Sequence, residues 1–511
     1  MATTRQVLQI LESYQKARIT FSQTVAELSN NAQNVEILHT AGVLELLRPL
    51  LIDSIPTIQQ TSALGLGRLA NWSEDMAEEV VSHHLLVQLV FSLKNQNRYS
   101  KKASASVLRS VAKHNAELAQ AVVESGALED LVSCLEEFDP SVKEVGATAV
   151  GNVAKHNVKL ARAVVDAGAV PLLVLCVQEP ELILKRAALA ALADIAKHAP
   201  ELAQLVVDAG TVPFIAPLVV HIDAKIKRQV CLCLGQIARH TVDLAEVLLA
   251  AELFPKLFLC LKDIDHQVRR QAAILVREVA KHTPQMAQFI VSTGGVAALV
   301  DNCAECLGND RLPAIMALGY IAAFDESLST TIIQSNGVKP LVDALTNEQE
   351  DHIQSASAWS LGQVGRHSPV HSLAVAEAGV LPQLVTRLLA ETSSEDLRSK
   401  CKRALKAIIE HLTHIPALDS LLQGPPLPIE TLKYVIAQLA KVLPNDPEGR
   451  TKFVTSGGLE KLLQMNFGPD PEIKSLVDGV NASYPKEVVQ YYDPGYEEIL
   501  LQKLTGAKPG K

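Results

Sequence analysis

The stretch that decides the fold is Leu108–Val132, LRSVAKHNAELAQAVVESGALEDLV. Moved forward by 42 residues it becomes VGNVAKHNVKLARAVVDAGAVPLLV (Val150–Val174), then LADIAKHAPELAQLVVDAGTVPFIA (Leu192–Ala216) and LGQIARHTVDLAEVLLAAELFPKLF (Leu234–Phe258). Moved backward it is LGRLANWSEDMAEEVVSHHLLVQLV (Leu66–Val90). Trp72, His114, His156, His198, His240, His282 and Phe324 follow one another at intervals of 42, and His367 comes 43 later. A period near 42 with helical composition predicts an all-α, right-handed armadillo/HEAT-type solenoid of three-helix repeats.

Each repeat reads as three helical pieces. In the unit after His114, Asn115 caps a short first helix, AELAQAVVES; Ser73, Asn157, Thr241, Thr283 and Ser368 take that place in sister copies. Pro200, Pro284 and Pro369 fall at the first helical position, where a missing N–H is harmless. Gly126 ends the helix, and Gly42, Gly168, Gly210, Gly295, Gly337 and Gly379 are expected to do the same. His84 and Glu252 stand where glycine is expected, which predicts altered, strained corners there. A second helix, a polar turn (Phe138–Ser141) and a long Ala-rich third helix, near Val142–Ala154, complete the unit. The repeat around Ala322–Leu341 is the least regular.

Residues 1–30 read as a capping half repeat of one or two helices and 31–412 as regular repeats. Residues 413–483 read as divergent repeats around the GPPLP segment, Gly424–Pro428, and 484–511 as a C-terminal cap and tail.

Composition narrows the function. The net charge of −9 argues against nucleic acid as a partner, and 4% aromatic content suits close-packed helix pairs. Eight scattered cysteines point to a reducing compartment, and the polar start MATTRQVLQILESYQ has no signal-peptide core. The apolar run Ala169–Val177 contains Pro171 and is too short for a membrane span. These features predict a soluble intracellular protein with no membrane partner. Nothing matches a phosphate loop, a nucleophile elbow or a paired-carboxylate site, so no enzyme and no cofactor is expected. The histidines lie in different repeats, on the order of 10 Å apart, too far to share a metal ion. They read as packing residues at helix C-termini, where positive charge is favoured. Cys303 and Cys306 form a lone CxxC in a helical segment, which reads as a buried thiol pair.

Two sets of residues are candidates for partner contact. The mid-helix groove column of the third helices is Arg68, Ser110, Asn152, Asp194, Gln236, Glu278, Tyr320 and Gln363, with Trp359 four residues before Gln363. Importin-α-type proteins repeat Trp and Asn in these two columns to hold an extended basic peptide. Here Asn152 and Trp359 stand alone and in different repeats, so the nuclear-import reading loses its mechanism. The second set is a basic rail at the start of the third helices: Lys101, Lys102, Lys143, Lys185, Arg186, Lys227, Arg228, Arg269, Arg270 and Arg311. The later member of each pair lies roughly 80° round the helix from the groove column. Two readings stay open for the rail. It attracts an acidic extended partner, such as a tubulin tail, or it pairs with acids of the next repeat, such as Asp139, Glu179, Asp223 and Asp265 in the turns that precede its third helix.

The basic-His dipeptides in register, the opening RQVLQILESYQKARITFSQTVAEL and the closing YYDPGYEEILLQKL resemble the sperm-associated antigen six family of axonemal central-pair armadillo proteins, over essentially the whole chain. The resemblance implies a non-enzymatic scaffold in the axoneme of motile cilia and flagella. Its partners would be microtubules and other central-apparatus proteins, with self-association through the Tyr-rich tail or the irregular repeats near 324 and 415–445. The alternative is a soluble β-catenin-like adaptor that grips one acidic extended peptide.

Overall fold

The computed structural model describes residues 2–94, 97–467, 470–493, 495–496 and 500. Among them every regular element is a helix. The chain divides into two compact units, Met1–Leu257 and Phe258–Lys511. Each unit is an armadillo-type stack of helix triplets.

In the first unit the third helices Pro56–Trp72, Arg98–Ala112, Pro140–Ala154, Leu182–Ala196 and Ala224–Ala238 pack in succession. In the second unit the same role falls to His266–Ala280, Leu312–Phe324, Asp351–Gly365 and Glu395–Ile409. Small residues set the approach. A Cβ on Gly151 would lie 3.1 Å from the Cβ of Ala191 in the next third helix, and one on Gly362 would lie 2.9 Å from the Cα of Ala404. The core is the Leu, Val, Ile and Ala stripe of each helix, including Leu108, Val150, Leu192 and Leu234, all fully buried.

The capping half repeat is one helix, Ala2–Leu28, whose C-terminal half packs on Pro56–Trp72. The divergent segment forms Ile415–Gln423 and Ile429–Val442, followed by Pro447–Thr455 and Gly458–Gln464. Of the expected tail, the short helix Lys486–Tyr491 is described, and the basic end GAKPGK lies outside the described residues.

Asn115, Asn157, Ser73, Thr241 and Thr283 cap their first helices through side-chain oxygens, as expected. Two expectations need correction. Ser368 turns its hydroxyl to His371 Nδ1 (2.8 Å) and does not cap, and in the preceding repeat Asp325 caps at Leu328 N. The left-handed corners fall at Gly294 (φ +88°) and Asn336 (φ +58°), one residue before the glycines named from the sequence. Gly295 and Gly337 are needed for space: a Cβ on either would come within 2.6 Å of an isoleucine methyl of the first helix.

The corners at His84 and Glu252 are not altered. Both residues adopt the left-handed conformation, φ +56° and +51°, and their N–H groups close the helix on Val81 O and Leu249 O. Stacking against neighbouring helices dictates the turn, and the side chain bears the strain.

The histidine column closes one repeat on the next. Nε2 of His114, His156, His198 and His240 donates at 2.7–2.8 Å to the carbonyls of Ala70, Ala112, Ala154 and Ala196. His367 does the same to Ala322 O at 2.6 Å. These are terminal carbonyls of the preceding third helix, which have no partner within that helix. Lys113 Nζ adds a bond to Asn71 O, and Lys155 Nζ one to Lys113 O, both 2.6 Å. Burial holds His156 and His198 below their ordinary value near 6.5, so they act as neutral donors in this packing role.

Two measurements test these features. His84→Gly and Glu252→Gly should each stabilise the protein by about 1 kcal/mol, read as a higher urea midpoint; unchanged midpoints would show that the corners carry no strain. Because the folded-state values of His156 and His198 are depressed, the unfolded chain binds more protons below about pH 6.5. Their contribution is therefore complete above that pH and is lost as pH falls below it. The double variant His156→Gln, His198→Gln should flatten the fall in melting temperature between about pH 7 and about pH 5.5. A fall as steep as that of the parent protein would contradict this.

Candidate partner-binding surface

The two members of each basic pair do different work. The first member turns inward, as do the single cations Lys143 and Arg311. In the first unit Lys101 pairs with Glu137, Lys143 pairs with Glu179 at 2.7 Å, and Lys185 Nζ donates to Val177 O at 2.7 Å. In the second unit Arg269 Nη1 donates to Asp263 O at 2.7 Å, and its Nε donates to Cys306 Sγ at 3.4 Å. Arg311 is the extreme case. Its side chain is 2% exposed, bonded to Cys303 O and paired with Asp343 (2.6 Å) and Glu348 (3.2 Å). A long polar side chain here closes the end of its own repeat's second helix and ties down an acid beyond it.

The second member stays at the surface. Hydrogen bonds from Ser141 hold the Asp139 carboxyl low, with Lys102 adding to them; against burial, the Ile226 and Lys225 N–H groups hold Asp223 low, with Arg186 adding to them. Arg186 Nε also bonds Leu182 O at 3.1 Å, and Arg270 sits 3.6 Å from Asp310 with 38% of its side chain exposed. Arg228 makes no ion pair among the described residues. Lys227 has partners of its own.

The groove column is largely occupied by internal bonds. Arg68 donates to Ala26 O, Ser110 Oγ to Ser106 O (2.8 Å) and Asn152 Nδ2 to Arg109 O (3.0 Å). Asp194, Gln236, Glu278 and Gln363 each bond the basic residue three places on: Lys197, Arg239, Lys281 and Arg366. Arg277 also clamps Glu278, and these cations keep its carboxyl low against the opposing effect of burial. Tyr320 and Trp359 pack edge to face, centroids 5.1 Å apart. No ladder of free Asn and Trp side chains remains for a basic peptide.

A third feature was misread in the sequence as a polar turn. Between the second and third helices of the first unit, the turn tips carry Phe138 (101% exposed), Pro180 and Ile222 (95%) at intervals of 42 residues. In the second unit Ile264 is 99% exposed in the same register, and Leu307 is 73%. Phe91, Leu175 and Leu259 add exposed apolar groups on the neighbouring second-helix faces. The signal was present as a repeated apolar residue, but its meaning required the turn to be seen pointing into solvent.

Among the described residues no group of three or more His, Cys, Asp or Glu could hold a metal ion. Cys303 and Cys306 are buried free thiols, and burial pushes Cys303 up to about 12. No single described helix is long and apolar enough to cross a membrane.

Removing an inward cation should unfold the protein earlier, while removing an outward one should not. Lys143→Ala is expected to cost roughly 1–2 kcal/mol in denaturant unfolding, and Arg228→Ala to stay within about 0.5 kcal/mol of the parent. Equal costs would erase the distinction.

No family model matches the chain. Among solved structures, an engineered protein from a structural genomics consortium aligns with a TM-score of 0.70 at 24% identity, covering 86% of this chain and 98% of that one; this likeness concerns the fold alone. A designed armadillo repeat protein aligns over 46% of the chain with a TM-score of 0.45. Sperm-associated antigen 6 of Mus musculus is 62% identical over 505 residues, 99% of both chains, and its Homo sapiens counterpart gives the same values. Identity of that extent, end to end and on the same helical repeat, makes this chain a member of the sperm-associated antigen 6 family.

Proposed function

We propose that the protein is a non-enzymatic scaffold of the axoneme of motile cilia and flagella. In this reading it binds microtubules and central-apparatus partners to stabilise the central pair. One observation carries the reading: at Pro180 and Ile222 in the first unit, and at Ile264 in the second, an apolar tip stands in solvent six residues before a cation at the surface, Arg186, Arg228 and Arg270. Such an edge suits a partner that is itself periodic, because each repeat meets an equivalent step. The cations suit acidic tubulin tails, and the apolar tips gain most by burial against an ordered surface. The names of the relatives associate those proteins with sperm, in keeping with a flagellar setting.

The competing reading is an adaptor holding one acidic extended peptide, favoured by the Tyr320–Trp359 pair in the second unit, with Arg366 bonded to Gln363 on the same helix face. It requires a one-to-one peptide complex and no assembly on a polymer.

The test is co-sedimentation with microtubules. Binding is expected at low salt, weaker at high salt and weaker after removal of the tubulin tails. Joint charge reversal at Arg186, Arg228 and Arg270 should reduce it more than reversal at the exposed Lys159, Lys256 and Lys339. Phe138→Ser with Ile222→Ser and Ile264→Ser should weaken it further. No sedimentation at low salt would overturn the proposal, and equal effects of the two charge sets would remove the cations from it.

A further inference from the structure

The connection between Ile415–Gln423 and Ile429–Val442 is Gly424-Pro425-Pro426-Leu427-Pro428, unlike any other turn in the chain. Its backbone has little choice. Proline fixes φ at three of five positions, and each residue preceding a proline is driven to extended or polyproline conformations. Gly424, Pro425 and Leu427 all precede prolines, so every residue of the segment is restricted. Pro428 sits at φ −56°, ψ 140°, in the polyproline II region, and Gly424 is extended.

Three further observations make this segment a recognition element. Pro425, Pro426 and Pro428 are exposed. Among the described residues, the peptide groups of Pro425, Pro426 and Leu427 make no hydrogen bond, which leaves their carbonyls available to a donor from outside. Leu427 is half-buried and, with Pro425 and Pro426, borders an open cleft of about 350 Å³ lined also by Leu421, Met465 and Phe467. The helices at both ends pack on each other and hold the segment in place.

We propose that Pro425–Pro428 is a docking site for a small proline-binding domain of the WW type, whose aromatic-lined groove takes a Pro-Pro-Leu-Pro ligand. A polyproline II helix turns once every three residues, so Pro425 and Pro428 share an edge and their rings meet adjacent aromatic side chains. The partner's tryptophan or tyrosine N–H and O–H groups would satisfy the free carbonyls, and the cleft beside Leu427 has room for an aromatic ring. A groove that also demands a basic residue next to the prolines fits poorly. The cation that lines the cleft, Lys461, is engaged with Gln423 O at 3.2 Å, and Lys402 is engaged with Glu430. The site is already ordered, so the partner does not bear the entropy of fixing a flexible peptide. It is independent of the microtubule-binding edge.

The experiment uses the full chain and a WW-type domain that binds a free Pro-Pro-Leu-Pro peptide, followed by the domain's own tryptophan fluorescence. The folded chain is expected to bind at least as tightly as the free peptide and to be displaced by it. Pro425→Ala with Pro426→Ala should weaken binding at least about tenfold while leaving the thermal melt unchanged. A domain that takes the peptide but not the folded chain would overturn the proposal. So would binding that survives the double substitution, or capture by an SH3-type domain in place of the WW-type one.

Discussion

The structure depends on carbonyls at the ends of successive third helices finding their hydrogen bonds in the next repeat. A helix leaves its last carbonyls without partners of its own, and a bare buried one costs roughly 1–3 kcal/mol. Ala70, Ala112, Ala154 and Ala196 each offer such a carbonyl, and each is met by a histidine 44 residues later. The lysine beside it joins in at Asn71 and Lys113. None of these repeats can complete the bond alone, so each such triplet requires a successor and the fold propagates by stacking.

The same logic explains why so much of the apparent binding surface is already engaged. Third-helix starts carry up to two basic residues of the rail, and helix geometry sends them to different places. Lys101, Lys143 and Arg311 reach into the protein to close helix ends or hold acids, while Arg186, Arg228 and Arg270 remain outside. In the groove, Asp194, Gln236 and Gln363 are matched to cations one turn ahead on their own helices. What remains for a partner is the outer members of the pairs and the apolar tips at Phe138, Ile222 and Ile264.

Substitutions in the repeat show which features the stack enforces. His84 and Glu252 take a backbone conformation suited to glycine, and Asn336 does so in the irregular repeat. The corner persists because the helices on either side are packed by many buried side chains, and one strained residue cannot outweigh them. Where the pattern truly departs, at Gly424–Pro428, the sequence has exchanged a glycine corner for a bend restricted by three prolines.

The 42-residue register, the caps at Asn115 and Asn157, the third-helix cores and the position of the histidine column were legible in the sequence, because periodicity and capping are local properties. The register also marked the basic residues, but not which of them would face inward. That choice depends on whether an acid or a helix end from another part of the stack lies within reach, as Glu179 does for Lys143 and Glu348 for Arg311. The charge state of His156 and His198 was likewise hidden, since burial by neighbouring helices lowers their basicity. Composition fixed the building unit. Only the packing of one unit on the next determined which side chains were consumed in joining them and which were left facing solvent.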